Sequence, residues 1–467
     1  MQSLQKTTKQ SSSALLMLFS IAIAGMLYGY DIGIINGAFL FVTKSIPMSD
    51  SQLSDIAAAV LGGGSIATLI AGPLADLFGR RLMIQISSIV FVIGVVIVAM
   101  SHSYIELLAG RLVQGVAVGL VSIVTPLFLA ESMPTHLRGR GIVSFQLLLT
   151  LGIAVSTASG LVFLSSGNWR GMFLTAMIPA ILLFISSLFV KESPRWLALK
   201  GRYDEALKIL TKISSEKDAK LEIAEMKENL NKEKETFFDL FLKIITQKKF
   251  LLPLITVCLI GILNQLTGIN VILQFSATIL KGSGLSSNVV ALMGGTGIAV
   301  VNFLVTIIVF LVVDRFERKQ LLAIGTLGIV ISLAYCAIIY QLMPDTVLKG
   351  YLILIGLVGY IASFAFGPGA LVWALLSELL PSQIRGTGMA VALFLNSGAS
   401  AILASEFLPM VNSLGYGGAF GLFAAFTCLY FLLAIFLIPK TKGKSLEEIE
   451  MSYDNGNPIL KEPVYQN

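Results

Sequence analysis

Twelve apolar stretches, each near or beyond the ~20 residues that a helix needs to cross a ~30 Å hydrocarbon layer, dominate this 467-residue chain. They fall at about 14–42, 52–77, 82–101, 104–130, 141–165 and 171–190, then 251–280, 288–313, 320–343, 350–379, 386–412 and 416–438. None alternates with the two-residue period of a barrel strand, so they read as helices. With 55% of residues apolar and 13% charged, against about 25% charged in soluble proteins, no large aqueous domain fits. A soluble enzyme, a DNA-binding protein and a secreted disulfide scaffold are excluded. The first stretch exceeds a signal-peptide apolar core and lacks an early cleavage site, so it reads as a retained span. Cys258, Cys336 and Cys428 lie far apart inside apolar runs without metal-ligand spacing, so no metal site and no cofactor are expected.

The charges give a topology. With both termini cytoplasmic, 28 of the 33 Lys and Arg residues fall on the cytoplasmic side. The outer loops hold Lys44, Arg170, Lys281 and Lys349, and Arg111 alone lies inside a span. The net charge of +6 therefore reports orientation in a lipid bilayer rather than a nucleic-acid partner. Between the sixth and seventh spans, 191–250 carries 14 basic and 11 acidic residues, with helix-compatible runs at 203–213 and 218–234. The chain thus divides into a six-helix half (1–190), cytoplasmic linker helices (191–250), a second six-helix half (251–438) and a cytoplasmic tail (439–467).

The two halves repeat. E-x-x-P-x-x-x-R-G-x-G runs from Glu131 through Arg138 to Gly141 and again from Glu378 through Arg385 to Gly388, an offset of 247 residues. Asp76-x-x-Gly79-Arg80-Arg81 has its counterpart in Asp314-x-x-Glu317-Arg318-Lys319, after spans 2 and 8. Parallel duplication of six helices is the arrangement of major facilitator transporters, with the substrate site between the halves near mid-membrane. Asp76, Arg80, Glu131, Arg138, Asp314, Arg318, Glu378 and Arg385 are expected at cytoplasmic helix ends. There, bidentate pairing either latches the halves together or fixes helix packing.

Two charges stand deep in spans. Asp31 lies ~16 Å and Arg111 ~10 Å from the outer ends of spans 1 and 4 at 1.5 Å per residue. A charge at such depth needs a partner, and a permanent buried pair contributes little stability over an apolar replacement, so a titrating pair is expected. Gly25, Gly29, Gly33 and Gly37 form an i, i+4 stripe on span 1, a surface for close helix approach. Asn264, Gln265 and Asn270 fall near the middle of span 7, with Gly268 permitting local unwinding, and Asn302 lies at similar depth in span 8. Uncharged amides suit a polyhydroxylated neutral ligand, although amides also join membrane helices. Gly367-Pro368-Gly369 is expected to break span 10. Glu406, near the outer end of span 11, reads as interfacial, as an outer-vestibule acceptor or as a second protonatable site. His102 and His136 read as interfacial.

The ordered set GYDIGIINGA (29–38), GPLADLFGRR (72–81), GRLVQG (110–115), AESMPTHLRGRG (130–141), ESPRWL (192–197), NQLTGIN (264–270) and GPGALVWALLSELLPSQIRG (367–386) resembles the sugar porter family of the major facilitator superfamily. The resemblance spans essentially the whole chain. It implies an all-α membrane protein of twelve helices that moves a neutral sugar or cyclic polyol by alternating access, as a monomer. It implies a proton-carrying role for Asp31, modulated by Arg111, where glucose facilitators of the family carry a neutral residue. It adds Gln146, Trp373, Tyr28 and Asn396 to the amides as substrate-binding positions, and Glu192 and Arg195 to the cytoplasmic gate. The pattern also departs from the family: Asn264 replaces a Gln, Ile153 stands where the xylose-type symporter has a second Gln, Ser397 replaces a Trp, and Glu317 replaces a Gly. The specificity therefore differs from a standard glucose or xylose site. Proton-coupled uptake across a bacterial inner membrane is the expected function. The alternatives are a proton-independent facilitator and a non-transporting sugar sensor; ATP-driven pumping lacks its phosphate-binding loop.

Overall fold

A computed structural model describes residues 23–132, 135–213, 216–231, Leu242, 246–381 and 383–438, without the side chains of 135–143, 212–213, 228–231, 248, 314 and 377. The expectations for the Arg138, His136 and Asp314 side chains and for the 439–467 tail lie outside the described residues. Numbering only the membrane-spanning helices, the first half comprises α1 (23–38), α2 (Asp50–Phe78), α3 (Arg80–Met100), α4 (Tyr104–Ser132), α5 (Thr135–Val162) and α6, which is interrupted at Ala176 (Trp169–Thr175, Met177–Phe189). The second comprises α7 (Lys248–Leu266, Ile269–Gly282), α8 (Asn288–Val312), α9 (Arg318–Leu342), α10 (Val347–Phe366, Pro368–Glu378), α11 (Arg385–Ser405) and α12 (Phe407–Phe436). Among the described residues, eleven helices are long and apolar enough to cross a membrane, and α1 continues the chain from outside that set. Side chains such as Ile93, Ile181, Leu304 and Ile331 are exposed, as expected where lipid is the solvent.

Lipid removes most of the hydrophobic drive between helices, so packing depends on close backbone approach. The α1 stripe provides it. A Cβ at Gly25 or Gly29 would overlap the carbonyl oxygens of Phe145 or Leu149, and one at Gly33 would lie 2.7 Å from the Ile153 carbonyl, all on α5. α2 and α4 meet in the same way, with Gly63 against the Leu112 carbonyl and Gly119 against that of Gly64. Asp31, on the other side of α1, is left facing α4.

The halves meet along two seams, α2 against α11 and α5 against α8. Under the duplication α2 corresponds to α8 and α5 to α11, so each seam is the image of the other. Among the described residues, three linker helices, Pro194–Leu199, Tyr203–Ile213 and Glu216–Asn231, build their own small core around Leu197, Ile209, Leu210 and Ile223. They define a linker end of the bundle; the opposite end is called the far end below.

α11 ends at Ser405, earlier than its apolar run suggests. After it, Phe407 opens a short helical stretch that kinks at Gly415 (φ 69°) before α12 crosses the membrane. Glu406 is therefore an exposed junction residue, which fits the interfacial reading.

Candidate functional site

α7 breaks where the sequence allows it. Gly268 takes the left-handed conformation (φ 87°) between the two α7 segments, and a Cβ there would sit 2.6 Å from the Phe423 ring. α10 breaks at Gly367, whose Cα packs against Gly325 of α9, and Pro368 starts the second segment, where its missing N–H costs nothing. These interruptions lie beside a central cavity between the halves, partly open to solvent.

All eight residues expected to bind substrate line this cavity: Tyr28, Gln146, Asn264, Gln265, Asn270, Asn302, Trp373 and Asn396. Most polarity lies on the second half. Gln265 Nε2 donates to Asn396 Oδ1 at 3.1 Å, Asn270 Nδ2 donates to Gln265 Oε1 at 3.0 Å and to Ser400 Oγ at 2.8 Å, and Asn396 Nδ2 donates to the Gly261 carbonyl at 2.8 Å. These amides act as helix glue, tying α7 to α11, and their residues also line the cavity. The Asn264 side chain is buried, with Oδ1 unpartnered among the described residues. The facing wall from α1 and α5 mixes the aliphatic Ile32, Leu149 and Ile153 with Tyr28, Gln146 and Thr150.

Behind that wall lies the buried pair. Arg111 Nη1 donates to Asp31 Oδ1 at 2.7 Å, and both side chains are essentially inaccessible (0% and 1%). The same nitrogen donates to Gln114 Oε1 at 2.9 Å, and the guanidinium lies over the Phe173 ring of α6 at 5.5 Å. The contact uses one oxygen of the carboxylate. Asp31 Oδ2, Arg111 Nε and Nη2 and Gln114 Nε2 have no partner among the described residues. Asp31 does not line the cavity, but its neighbour Ile32 and Tyr28 one turn away do. Gln114 was not singled out in the sequence, although its i, i+3 spacing from Arg111 places the two on one face.

At the linker end the motif residues pair within each half. Glu131 grips Arg80 with both oxygens (2.7 and 2.8 Å), and Arg80 also reaches Asp76 at 2.8 Å and the Ala75 carbonyl. Glu192 accepts the backbone N–H groups of Arg80 and Arg81 and so caps α3, where an anion opposes the positive end of the helix dipole. Ser193 Oγ donates to Glu131 at 2.6 Å, and Trp196 Nε1 donates to the Asp76 carbonyl, docking the linker on the first half. In the second half Arg318 approaches Glu378 at only 3.8 Å, and Arg385 lies 3.4 Å from the Leu380 carbonyl. Arg195 is exposed. Of the two readings of these motifs, the described pairs agree with helix packing: they hold helices of one half together, and Arg80 is enclosed by partners from α2 and α4.

The described cross-half hydrogen bonds instead lie from mid-bundle to the far end. Asn36 donates to Ser276 Oγ at 2.7 Å and accepts from Ala277 N at 2.8 Å. Ser54 accepts from Leu408 N, Asp55 from Ser405 and Asp50 from Asn412, while Ser65 donates to the Phe394 carbonyl. Phe39, Phe275 and Phe407 pack in series across the same closure, with ring centroids 5.3 and 5.0 Å apart. Among the described residues no group of three or more His, Cys, Asp or Glu side chains is placed to hold a metal.

Comparison with known proteins agrees with this architecture. The family model for sugar (and other) transporters matches residues 17–453. The chain is 35% identical to the glucose transporter GlcP of Staphylococcus epidermidis, covering 92% of this chain and 95% of that one. It is 31% identical to the galactose-proton symporter of Escherichia coli K12, covering 94% of each. Its fold is similar to a structure of the proton:xylose symporter XylE bound to 6-bromo-6-deoxy-D-glucose, with a TM-score of 0.79, 27% identity, and 95% of this chain and 100% of that chain covered. These relatives are transporters rather than enzymes. The protein is a multi-pass integral membrane protein that belongs to the sugar porter family of the major facilitator superfamily.

Proposed function

We propose that the protein takes up a neutral monosaccharide or cyclic polyol together with a proton, by alternating access, as a monomer in a bacterial cell membrane with its linker end and both termini in the cytoplasm. The observation that carries the reading is the Asp31–Arg111 pair, buried one residue behind the wall of an amide-lined cavity. The amides supply donors and acceptors to sugar hydroxyls without the desolvation cost of a charge. The carboxylate supplies a site for the proton. Relatives that include a galactose-proton symporter, and the similar structure of a proton:xylose symporter, support the same reading. The cross-half hydrogen bonds described above lie from mid-bundle to the far end, as fits a cavity that opens toward the linker end. Moving one charge inward is worth about 2.3 kcal/mol per 100 mV, or roughly fiftyfold accumulation.

The test is uptake of a sugar panel by proteoliposomes with and without an imposed pH gradient. Asp31→Asn is expected to retain counterflow and lose gradient-driven accumulation. Full accumulation by that variant excludes Asp31 as the proton site, and wild-type uptake indifferent to the gradient establishes a facilitator on the same fold.

A further inference from the structure

Gln114 has no part in the pathway just described, yet it shares a donor with Asp31. Arg111 Nη1 gives one hydrogen bond to Asp31 Oδ1 at 2.7 Å and one to Gln114 Oε1 at 2.9 Å. Gln114 is fully buried, and its stem reaches this position because Gly94 on α3 leaves room: a Cβ there would lie 2.7 Å from Gln114 Cγ. Among the described residues, the charged or titratable groups that interact with Asp31 are Arg111 from α4 and Tyr28 from its own helix, and α6 contributes the uncharged Phe173 ring.

We infer that Gln114 is a positioning residue for proton coupling, a neutral acceptor that keeps hold of Arg111 when Asp31 takes up its proton. A guanidinium stays charged in a protein and needs acceptors wherever it is buried. While Asp31 is ionised, Arg111 has two, one of them charged. When a proton adds to Oδ2, the oxygen not engaged by Arg111, an O–H bond forms and the pair changes from neutral to a single positive charge. Gln114 Oε1 is then the acceptor that still holds the cation in place. It therefore stabilises the protonated state more than the ionised one, and raises the affinity of the site for its proton.

This inference rests on the proton-coupled reading, and two variants give it opposite signs. Gln114→Leu leaves Arg111 with Asp31 alone, so protonation becomes harder and its midpoint moves to lower pH by about one unit, tenfold in proton activity. Gln114→Glu is nearly isosteric and offers Arg111 a rival anion, so Asp31 loses its counter-charge and its midpoint moves to higher pH. The readout is infrared titration of the full-length protein in lipid nanodiscs. The Asp31 carboxyl band is obtained in each case as the difference from the same protein carrying Asp31→Asn, and cooperative melting confirms that each variant is folded. Shifts of opposite sign in the two variants support the inference; if Gln114→Leu does not fold, the upward shift in Gln114→Glu carries it. A titrating Asp31 whose midpoint is unmoved by either substitution overturns the role of Gln114 alone. Absence of any titrating Asp31 band in the wild type overturns the proton-coupled reading with it.

Discussion

Asn264 differs from the other cavity amides in having a buried carbonyl oxygen without a hydrogen-bond partner among the described residues. Gln265, Asn270 and Asn396 spend part of their bonding capacity on each other, whereas Asn264, which also lines the cavity, keeps its Oδ1 buried and uncommitted among the described residues. An unmet buried acceptor costs about 1–3 kcal/mol, which a ligand hydroxyl can recover. Asn264→Ala is therefore expected to lower sugar affinity about tenfold, or ~1.4 kcal/mol, without lowering the melting temperature; half-saturation in counterflow checks the first and a thermal melt the second. The position of Asn264 was legible in the sequence because an amide in an apolar helix is conspicuous and its depth follows from the rise per residue. Its freedom was not, because the ladder beside it joins residues 131 apart, Gln265 and Asn396, through a packing that no local pattern encodes. Gln114 escaped attention for a related reason: within GRLVQG it looked like part of a motif, and only the geometry shows its carbonyl oxygen on Arg111.

At the scale of helices, α1 is held by glycine on one side and charge on the other. Gly29→Leu would drive a side chain into the Leu149 carbonyl on α5 and shift the whole helix, Asp31 included, relative to Arg111. Overpacking of this kind costs about 1–3 kcal/mol, and more where backbone is the obstacle. A lower melting temperature and reduced yield of folded protein are expected. Gly72 on α2, where nothing lies within 4 Å of an added Cβ, is the control: Gly72→Ala should leave the melt unchanged or raise it, by about 0.5–1 kcal/mol of helix propensity. The stripe, the α7 break at Gly268 and the α10 break at Gly367 could be read from the chain because glycine and proline act locally. The end of α11 could not, since the apolar run continues past Ser405 to Met410 and hydropathy alone does not distinguish a span from the short helical stretch that follows it.

For the whole molecule, the far-end closure is the arrangement that transport must undo. Asp55 and Ser405 touch across it, so replacing both with cysteine in a background free of Cys258, Cys336 and Cys428 should allow a disulfide. Oxidation is expected to abolish uptake and reductant to restore it, as followed in proteoliposomes; undiminished uptake by the fully cross-linked protein would mean that this seam stays shut throughout the cycle. The repeat made the twofold arrangement legible, whereas its motifs left open whether their charges latch the halves together or fix helix packing, and the described pairs clamp helices within one half. Glu131 finds Arg80 inside its own bundle with bidentate geometry, and a partner so enclosed is not available to the other half. One contact between the two interrupted helices has a mechanical meaning. Tyr360 of α10 donates to the carbonyl of Thr267, the residue just before the α7 break, at 3.1 Å, and Tyr360 itself lies seven residues before the α10 break at Gly367. The bond links the two interruptions: a bend at either that carries Tyr360 away from Thr267 forfeits a fully buried hydrogen bond, worth about 1 kcal/mol, so bending both together costs less than bending one alone.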